Sequence, residues 1–511
     1  MPRKMKKKKL ALNTIMPLLL EIVSITSGFI LPRLILTHYG SEVNGLVQSI
    51  TQFLAVISFF EAGVGSVVRY NFFKPLAEHD GNQISRVVVS ANKFFRKLAI
   101  GLLAYTVLLM IFYPLFAGQQ FGHMYTALLI AAMCISFFAQ YYFGQVNQLL
   151  LTADQRGYIQ CLAQIGSIVA NTIACVILII AGASIHVVKL TTSVIFFLRP
   201  LFLDWYVKRH YNIDYSIKYG EEPIKQKWNG LAQHISAVVL DGTDVIVLTA
   251  LSTLGNVSIY STYNLVVGNI KKMITTATGG IEAATGDIIA RGNKEELTRT
   301  FEVTEWTIHT VGTFIFSCTA ALVTPFVMVY TKGVTDVNYN VPLFAVLLTI
   351  ANYAHTLRLP YSITILTAGH YKQTQHCYII AAITNIMISV ILVSKFGLIG
   401  VAIGTVIAMF YQTIWMSWYA GEKILGRSYA RFWKQFIVDG IIFAAIILSS
   451  KLFDMKFVSY GAWFILAVKV AIVSLIIVLI VNGLFYRDHV SGVYKKVKNK
   501  CVELNKRKRN V

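Results

Sequence analysis

Charge is scarce in this sequence, and negative charge is scarcest. Only 14% of the 511 residues are Asp, Glu, Lys or Arg, with 24 acidic against 46 basic side chains and a net charge of +22. With 56% hydrophobic residues and a mean hydropathy of +0.61, a soluble domain of this length is excluded, and a polytopic membrane protein remains. A soluble chain this basic would suggest nucleic acid. Here the basic residues sit between apolar runs, so anionic lipid is the expected partner and nucleic acid is not. Cysteine is also sparse. Cys134, Cys161, Cys175, Cys318, Cys377 and Cys501 form no C-x-x-C and keep no ligand spacing with histidines, so neither a disulfide nor a metal is expected. Catalytic signatures are missing too. There is no H-E-x-x-H, no Walker loop, no G-x-S-x-G and no large extramembrane segment to house an active site, so no enzyme is expected.

What is present is a series of long apolar runs. Fourteen segments can span a bilayer: 10–36, 45–70, 97–116, 124–151, 158–181, 185–207, 231–251, 257–279, 305–330, 341–368, 375–394, 397–419, 432–452 and 459–485. The opening Met1-Pro-Arg-Lys-Met-Lys-Lys-Lys-Lys9 could pass for the start of a signal peptide. The run that follows is long and ends in no small-x-small site, so it reads as an uncleaved first helix. Charge tests the count. With the N-terminus inside, alternate loops hold 36 of the 46 Lys and Arg, while the opposite loops hold four, Lys332, Lys395, Lys451 and Lys456. An odd number of spans would put the basic tail outside. Both termini are therefore expected in the cytoplasm.

The two halves repeat an order. His38-Tyr-Gly-Ser-Glu-Val-Asn-Gly45 leads into a span ending near Ala77-Glu-His-Asp-Gly81-Asn82. Thr253-Leu-Gly255-Asn-Val-Ser-Ile-Tyr260 leads into one ending near Ile289-Ala-Arg-Gly292-Asn293. The expected organisation is an N-terminal lobe of six helices (1–207), a basic cytoplasmic linker (208–230), a second six-helix lobe (231–419), two further helices (420–485) and a basic cytoplasmic tail (486–511). Gly397, Gly400 and Gly404 share one side of a span and suit close helix packing.

The span 231–251 carries Asp241 and Asp244 near its middle, three residues apart on one face, with His234 close to that face. A carboxylate at membrane depth costs several kcal/mol unless it is paired, protonated or wet, so this helix should face an internal cavity. Two like charges on one face tend to raise one pKa, so the pair is a candidate ion-coupling site for Na+ or H+, with no other cofactor expected. Glu21 and Glu61 are further cavity acids, Glu21 a candidate partner for a nearby arginine. Arg33, Arg199 and Arg358 each lie beside a proline (Pro32, Pro200, Pro360), as in broken helices lining a cavity. Snorkelling to the cytoplasmic end suits Arg199 better. Arg69 lies near a cytoplasmic mouth, and Lys271 and Lys272 extend a span towards the cytoplasm. As a bland reading these two sit on a solvated helix end; as a sharp one, with Arg33, Arg69 and Arg358, they would collect a phosphorylated substrate.

Three stretches carry a family resemblance. Phe59-Phe-Glu-Ala-Gly-Val-Gly-Ser-Val-Val with Lys74-Pro-Leu-Ala-Glu-His-Asp80, Asp241-Gly-Thr-Asp244 with Leu254-Gly-Asn-Val-Ser-Ile-Tyr260, and Thr384-Asn385 through Phe396-Gly-Leu-Ile-Gly400 to Thr405 resemble the Wzx-type polysaccharide-biosynthesis flippases. These belong to the multidrug/oligosaccharidyl-lipid/polysaccharide (MOP) exporter superfamily. The resemblance implies an all-α protein of two six-helix lobes around a central cavity, plus two C-terminal helices as in the lipid-substrate branch. It implies a polyprenyl-pyrophosphate-linked oligosaccharide moved from the inner to the outer leaflet of a bacterial cytoplasmic membrane by alternating access. A polysaccharide polymerase and glycosyltransferases are the implied partners. The rivals are a cation-coupled drug exporter of the same superfamily and a non-transporting scaffold for glycosyltransferases.

Overall fold

The computed structural model describes residues 3–117, 120–218, 224, 242–453, 458–489 and 491–492. Every regular element among them is a helix: α1 (Arg3–Tyr39), α2 (Ser41–Ala55), α3 (Ser58–Glu78), α4 (Gly81–Phe116), α5 (His123–Ala153), α6 (Gly157–Ile180), α7 (Ile185–His210), α8 (Gly242–Leu251), α9 (Leu254–Ala277), α10 (Gly279–Ala290), α11 (Lys294–Tyr330), α12 (Pro342–Thr367), α13 (Tyr371–Phe396), α14 (Leu398–Leu425), α15 (Ala430–Ser450) and α16 (Tyr460–Phe485). Ten of these are long and apolar enough to cross a membrane, and the chain is a multi-pass membrane protein. The expected span 45–70 is two helices, interrupted at Val56–Ile57 between α2 and α3. The helix breaks expected at three prolines are not made. Pro32, Pro200 and Pro360 all lie within continuous helices. A proline removes one backbone bond, and packed neighbours can re-satisfy the carbonyl it frees.

α16 shows why such helices form. Its buried residues, Leu466, Val470, Ser474, Val478 and Asn482, recur every fourth position, while Phe464, Ile472, Ile476 and Ile480 point outward. A soluble helix would place many charges on that outer face; here apolar side chains cover most of it, with Lys469 the exposed charge in the span. Local chemistry sets the helix starts. Asp80 accepts the Gln83 N–H at 2.9 Å ahead of α4, and Asn293 accepts the Glu296 N–H at 3.0 Å ahead of α11. Left-handed His79 (φ 55°) and Gly292 (φ 70°) turn the chain just before them. Gly292-Asn293 thus opens the second of these helices, of 37 residues, while His79-Asp80 does the same for the first, of 36, with Gly81-Asn82 already inside it. At about 1.5 Å per residue each exceeds a hydrocarbon core of about 30 Å by several turns.

The chain forms two compact units. Unit 1 takes Met1–Leu265, Gly333–Asn338 and Ile386–Val401; unit 2 takes Val266–Lys332, Tyr339–Asn385 and Ala402–Val511. Helices α9, α13 and α14 pass from one unit into the other. Unit 1 packs around Leu46, Ile50, Leu54, Val68, Phe72 and Phe95. Asp336 joins it from far along the chain by accepting Ser41 N–H at 2.6 Å and Ser41 Oγ–H at 2.7 Å, which satisfies the start of α2. Close approach needs glycine at two places. A Cβ on Gly45 would stand 1.9 Å from the Leu254 carbonyl oxygen, and one on Gly400 would stand 2.5 Å from that of Leu392. Gly400 therefore does what the small-residue stripe predicted, while Gly397 turns the chain at φ +52°. Unit 2 packs around Phe301, Tyr361, Ile365, Met416 and Phe432. A second cluster, Val438, Ile442, Ile446 and Val478, joins α15 to α16.

Candidate functional site

In unit 1 the buried polar groups are mostly neutral. Asn44 donates to Ser258 at 2.8 Å, while Tyr113 and Thr249 both donate to Ser49, at 2.8 and 2.7 Å. Asp244 is the exception. It is 2% exposed and accepts the Tyr260 hydroxyl proton at 3.0 Å, so α8 keeps its carboxylate inside protein. Beside it α8 starts in tight contact with α2, since a Cβ on Gly242 would meet Gln52 Nε2 at 2.2 Å. Asp241 and His234 lie outside the described residues, as does the side chain of Glu61. Glu21 and Arg33 are half-buried on α1. Twelve residues place them about 18 Å apart along the helix, too far to pair with each other. Arg69 is exposed on α3.

Arg199 is half-buried. Its Nη2 donates to Gln148 Oε1 at 2.9 Å, and Gln140 Nε2 reaches Gln145 and Gln148, both at 3.1 Å. Gln140 begins a π-helical turn, Gln140–Gly144, inside α5. A Cβ on Gly144 would lie 2.8 Å from Pro200 Cβ, so α5 and α7 meet closely here.

Unit 2 gathers ionisable groups. Arg358 on α12 is 7% exposed, with Nη1 3.9 Å from Met409 Sδ. Arg358 and Lys271 (α9) both lie within electrostatic reach of His355, one turn before Arg358. His355 Nδ1 is buried with no hydrogen-bond partner among the described residues. Of the residues singled out from the sequence, Arg358 and Lys271 thus both act electrostatically on His355, which the sequence did not single out. Lys272 is exposed.

Two further constellations in unit 2 were missed. Glu305 on α11 takes both terminal nitrogens of Arg427, with Nη1 at 2.7 Å from Oε2, and the Tyr361 hydroxyl at 2.5 Å. Arg427 also lies 4.7 Å over the Phe301 ring. Burial works against the Arg427 charge, but the Glu305 hydrogen bonds and charge outweigh it and hold the guanidinium pKa above its ordinary value. One helical turn on, His309 Nδ1 is 2.6 Å from Asp439 Oδ2, and its Nε2 is 3.1 Å from the Leu357 carbonyl oxygen. A carbonyl only accepts, so Nε2 carries a proton. The short Nδ1–carboxylate contact then requires a second proton between the two residues. Gln435 Nε2 donates to the other Asp439 oxygen at 3.0 Å, and Trp306 Nε1 donates to Asn482 at 2.9 Å. His309 with Asp439 thus ties α15 to α11, and Trp306 with Asn482 ties α16 to α11. The signal was present in the sequence, as Glu305 and His309 are four apart in one apolar span and Asp439 interrupts another.

No protein-family model matches the chain, and no curated protein matches it by sequence. Solved structures do. The lipid II flippase MurJ in an inward closed conformation aligns with 94% of this chain and 100% of its own at a TM-score of 0.70 and 14% identity. An inward-facing multidrug resistance MATE transporter of the MOP superfamily aligns with 81% of this chain and 98% of its own, at TM-score 0.60 and 15% identity. A MOP superfamily transporter from Pyrococcus furiosus, described as having a binding pocket of reversed polarity, aligns at 0.53 and 14% identity over 83% of this chain and 97% of its own. What the chain shares with them is the architecture: it has the all-helical fold of MOP superfamily transporters.

Proposed function

We propose that this chain is a secondary transporter that moves a polyprenyl-pyrophosphate-linked oligosaccharide from the inner to the outer leaflet of a bacterial cytoplasmic membrane, feeding cell-surface polysaccharide assembly. The observation that carries the reading is the buried guanidinium of Arg358, with Lys271 in electrostatic reach of the same histidine, His355. An arginine kept in a membrane helix costs about 3 kcal/mol or more, which a retained function can offset. Guanidinium and ammonium groups in a low-dielectric setting bind pyrophosphate strongly, and His355 Nδ1 offers an open hydrogen-bonding position beside them. A carrier of cationic drugs has no use for that sign of charge. The lipid II flippase fold supports a lipid-linked cargo over a free solute.

Alternating access is the transport mode this reading implies, driven by Na+ or H+ through Asp244 and its neighbour Asp241. Cells lacking the protein should accumulate the lipid-linked oligosaccharide on the cytoplasmic leaflet. Wild type should clear it and Arg358→Ala should not. Absence of that build-up, with increased sensitivity to cationic dyes instead, would replace this reading with the drug exporter. Asp244→Asn should uncouple transport from the ion gradient; transport with unchanged gradient dependence would remove Asp244 from the coupling role.

A further inference from the structure

Unit 1 carries a cavity of about 570 Å³, lined by none of the candidate transport residues. It is lined by Lys93, Arg96 and Lys97 from α4 and by Lys208 from α7, with Asp204 the one carboxylate. Arg96 lies 5.0 Å over the Tyr142 ring and Lys208 5.9 Å from the Tyr215 ring, so aromatic faces hold two of the cations towards the cavity. Asp204 is taken up by Lys208 at 2.6 Å. Arg96 and Lys208 also stand within each other's repulsive field. Four converging cations against one engaged carboxylate are a site for an anion, and the volume suits a headgroup-sized one.

The depth of the cavity identifies the anion. On α4 the outward face is charged up to Lys97 and apolar from Ile100, through Leu103, Val107, Leu108, Ile111 and Phe112. On α7 the order is mirrored. Val194, Leu198, Leu201 and Phe202 are exposed, then Trp205, then Lys208 and Arg209. Both helices thus cross from hydrocarbon to water at the level of the cavity, and Trp205 stands where interfacial aromatics stand. Ile100 lines the cavity and is 59% exposed, which leaves its apolar edge open to acyl chains. By the charge distribution of the loops this is the cytoplasmic rim.

We propose that this cavity is a binding site for the phosphate headgroup of an anionic membrane lipid, separate from the transport pathway and occupied whatever cargo the protein carries. Native mass spectrometry of the full-length protein with phosphatidylglycerol, phosphatidylcholine or inorganic phosphate tests it. Phosphatidylglycerol adducts should exceed phosphatidylcholine adducts, and Lys93→Ala/Arg96→Ala should reduce them by about ten-fold or more. Lys423→Ala, elsewhere on the basic surface, should not. Equal retention of the two lipids, or undiminished adducts in the double variant, would overturn the proposal. Displacement of the lipid by millimolar inorganic phosphate would assign the site to a soluble anion instead. The wild-type protein gives a second readout independent of any variant's folding. In phosphatidylglycerol nanodiscs Lys93, Lys97 and Lys208 should resist amine-reactive labelling more than in phosphatidylcholine ones, with Lys423 unchanged; equal labelling of all four would also overturn it.

Discussion

The two units solve the problem of buried polarity in different ways. Unit 1 relies on hydroxyls and amides, such as Asn44 with Ser258 and Tyr113 with Ser49, and keeps Asp244 under a tyrosine hydroxyl. Unit 2 buries full ion pairs, Arg427 with Glu305 and His309 with Asp439. Neutral hydrogen bonds are each worth about 1 kcal/mol and fail gently. A buried ion pair adds little net stability over an apolar replacement, yet losing one partner costs about 3–5 kcal/mol. Unit 2 is therefore the more brittle, and one of its brittle bonds, His309 with Asp439, attaches α15 to α11.

The largest break expected is Glu305→Gln. It leaves the Arg427 guanidinium buried without its counter-charge, and should destabilise unit 2 by about 3–5 kcal/mol. Thermal unfolding in detergent would read this, together with easier proteolysis near Arg427. An unfolding temperature equal to wild type would mean that the pair is not buried in the working protein. A smaller break is Asp439→Ala, about 2–3 kcal/mol by the same measurement, because the His309 ring loses its partner. Asp439→Asn should cost far less. An amide can donate to Nδ1 and still accept from Gln435, so the geometry survives without the shared proton. Equal losses in the two variants would show that the charge, not the hydrogen bond, matters at Asp439. In unit 1 the comparable loss is smaller: Tyr260→Phe removes one hydrogen bond from Asp244 and should cost about 1.5 kcal/mol. A loss above that of Asp439→Ala would contradict the contrast drawn between the units.

Much of the helical plan was legible because its causes are local. Hydropathy over some twenty residues sets a spanning helix, and Asp80 and Asn293 start helices through their own side chains. The close contact of Gly400 was legible for the same reason. The candidate site was legible only in part. Arg358 and Lys271 could be picked out as costly charges, but not that both would act on His355. Glu305 and His309 sat in plain view within an apolar run, yet their partners are 122 and 130 residues away. Spacing along one helix says which face a charge occupies and nothing about what it faces. The prolines misled for a related reason, since a lone proline's effect depends on neighbours that can take over the freed carbonyl.

By itself the sequence determined the solvent of this protein. Its long apolar runs bury their backbone bonds in helices wherever lipid is the surroundings. Only the tertiary structure decided which charges are satisfied and which are gathered. Pairings such as Glu305 with Arg427, the proton held between His309 and Asp439, and the convergence of Arg96 and Lys208 at one rim depend on helices meeting. Such meetings are fixed by side-chain packing across long loops, which no local pattern encodes.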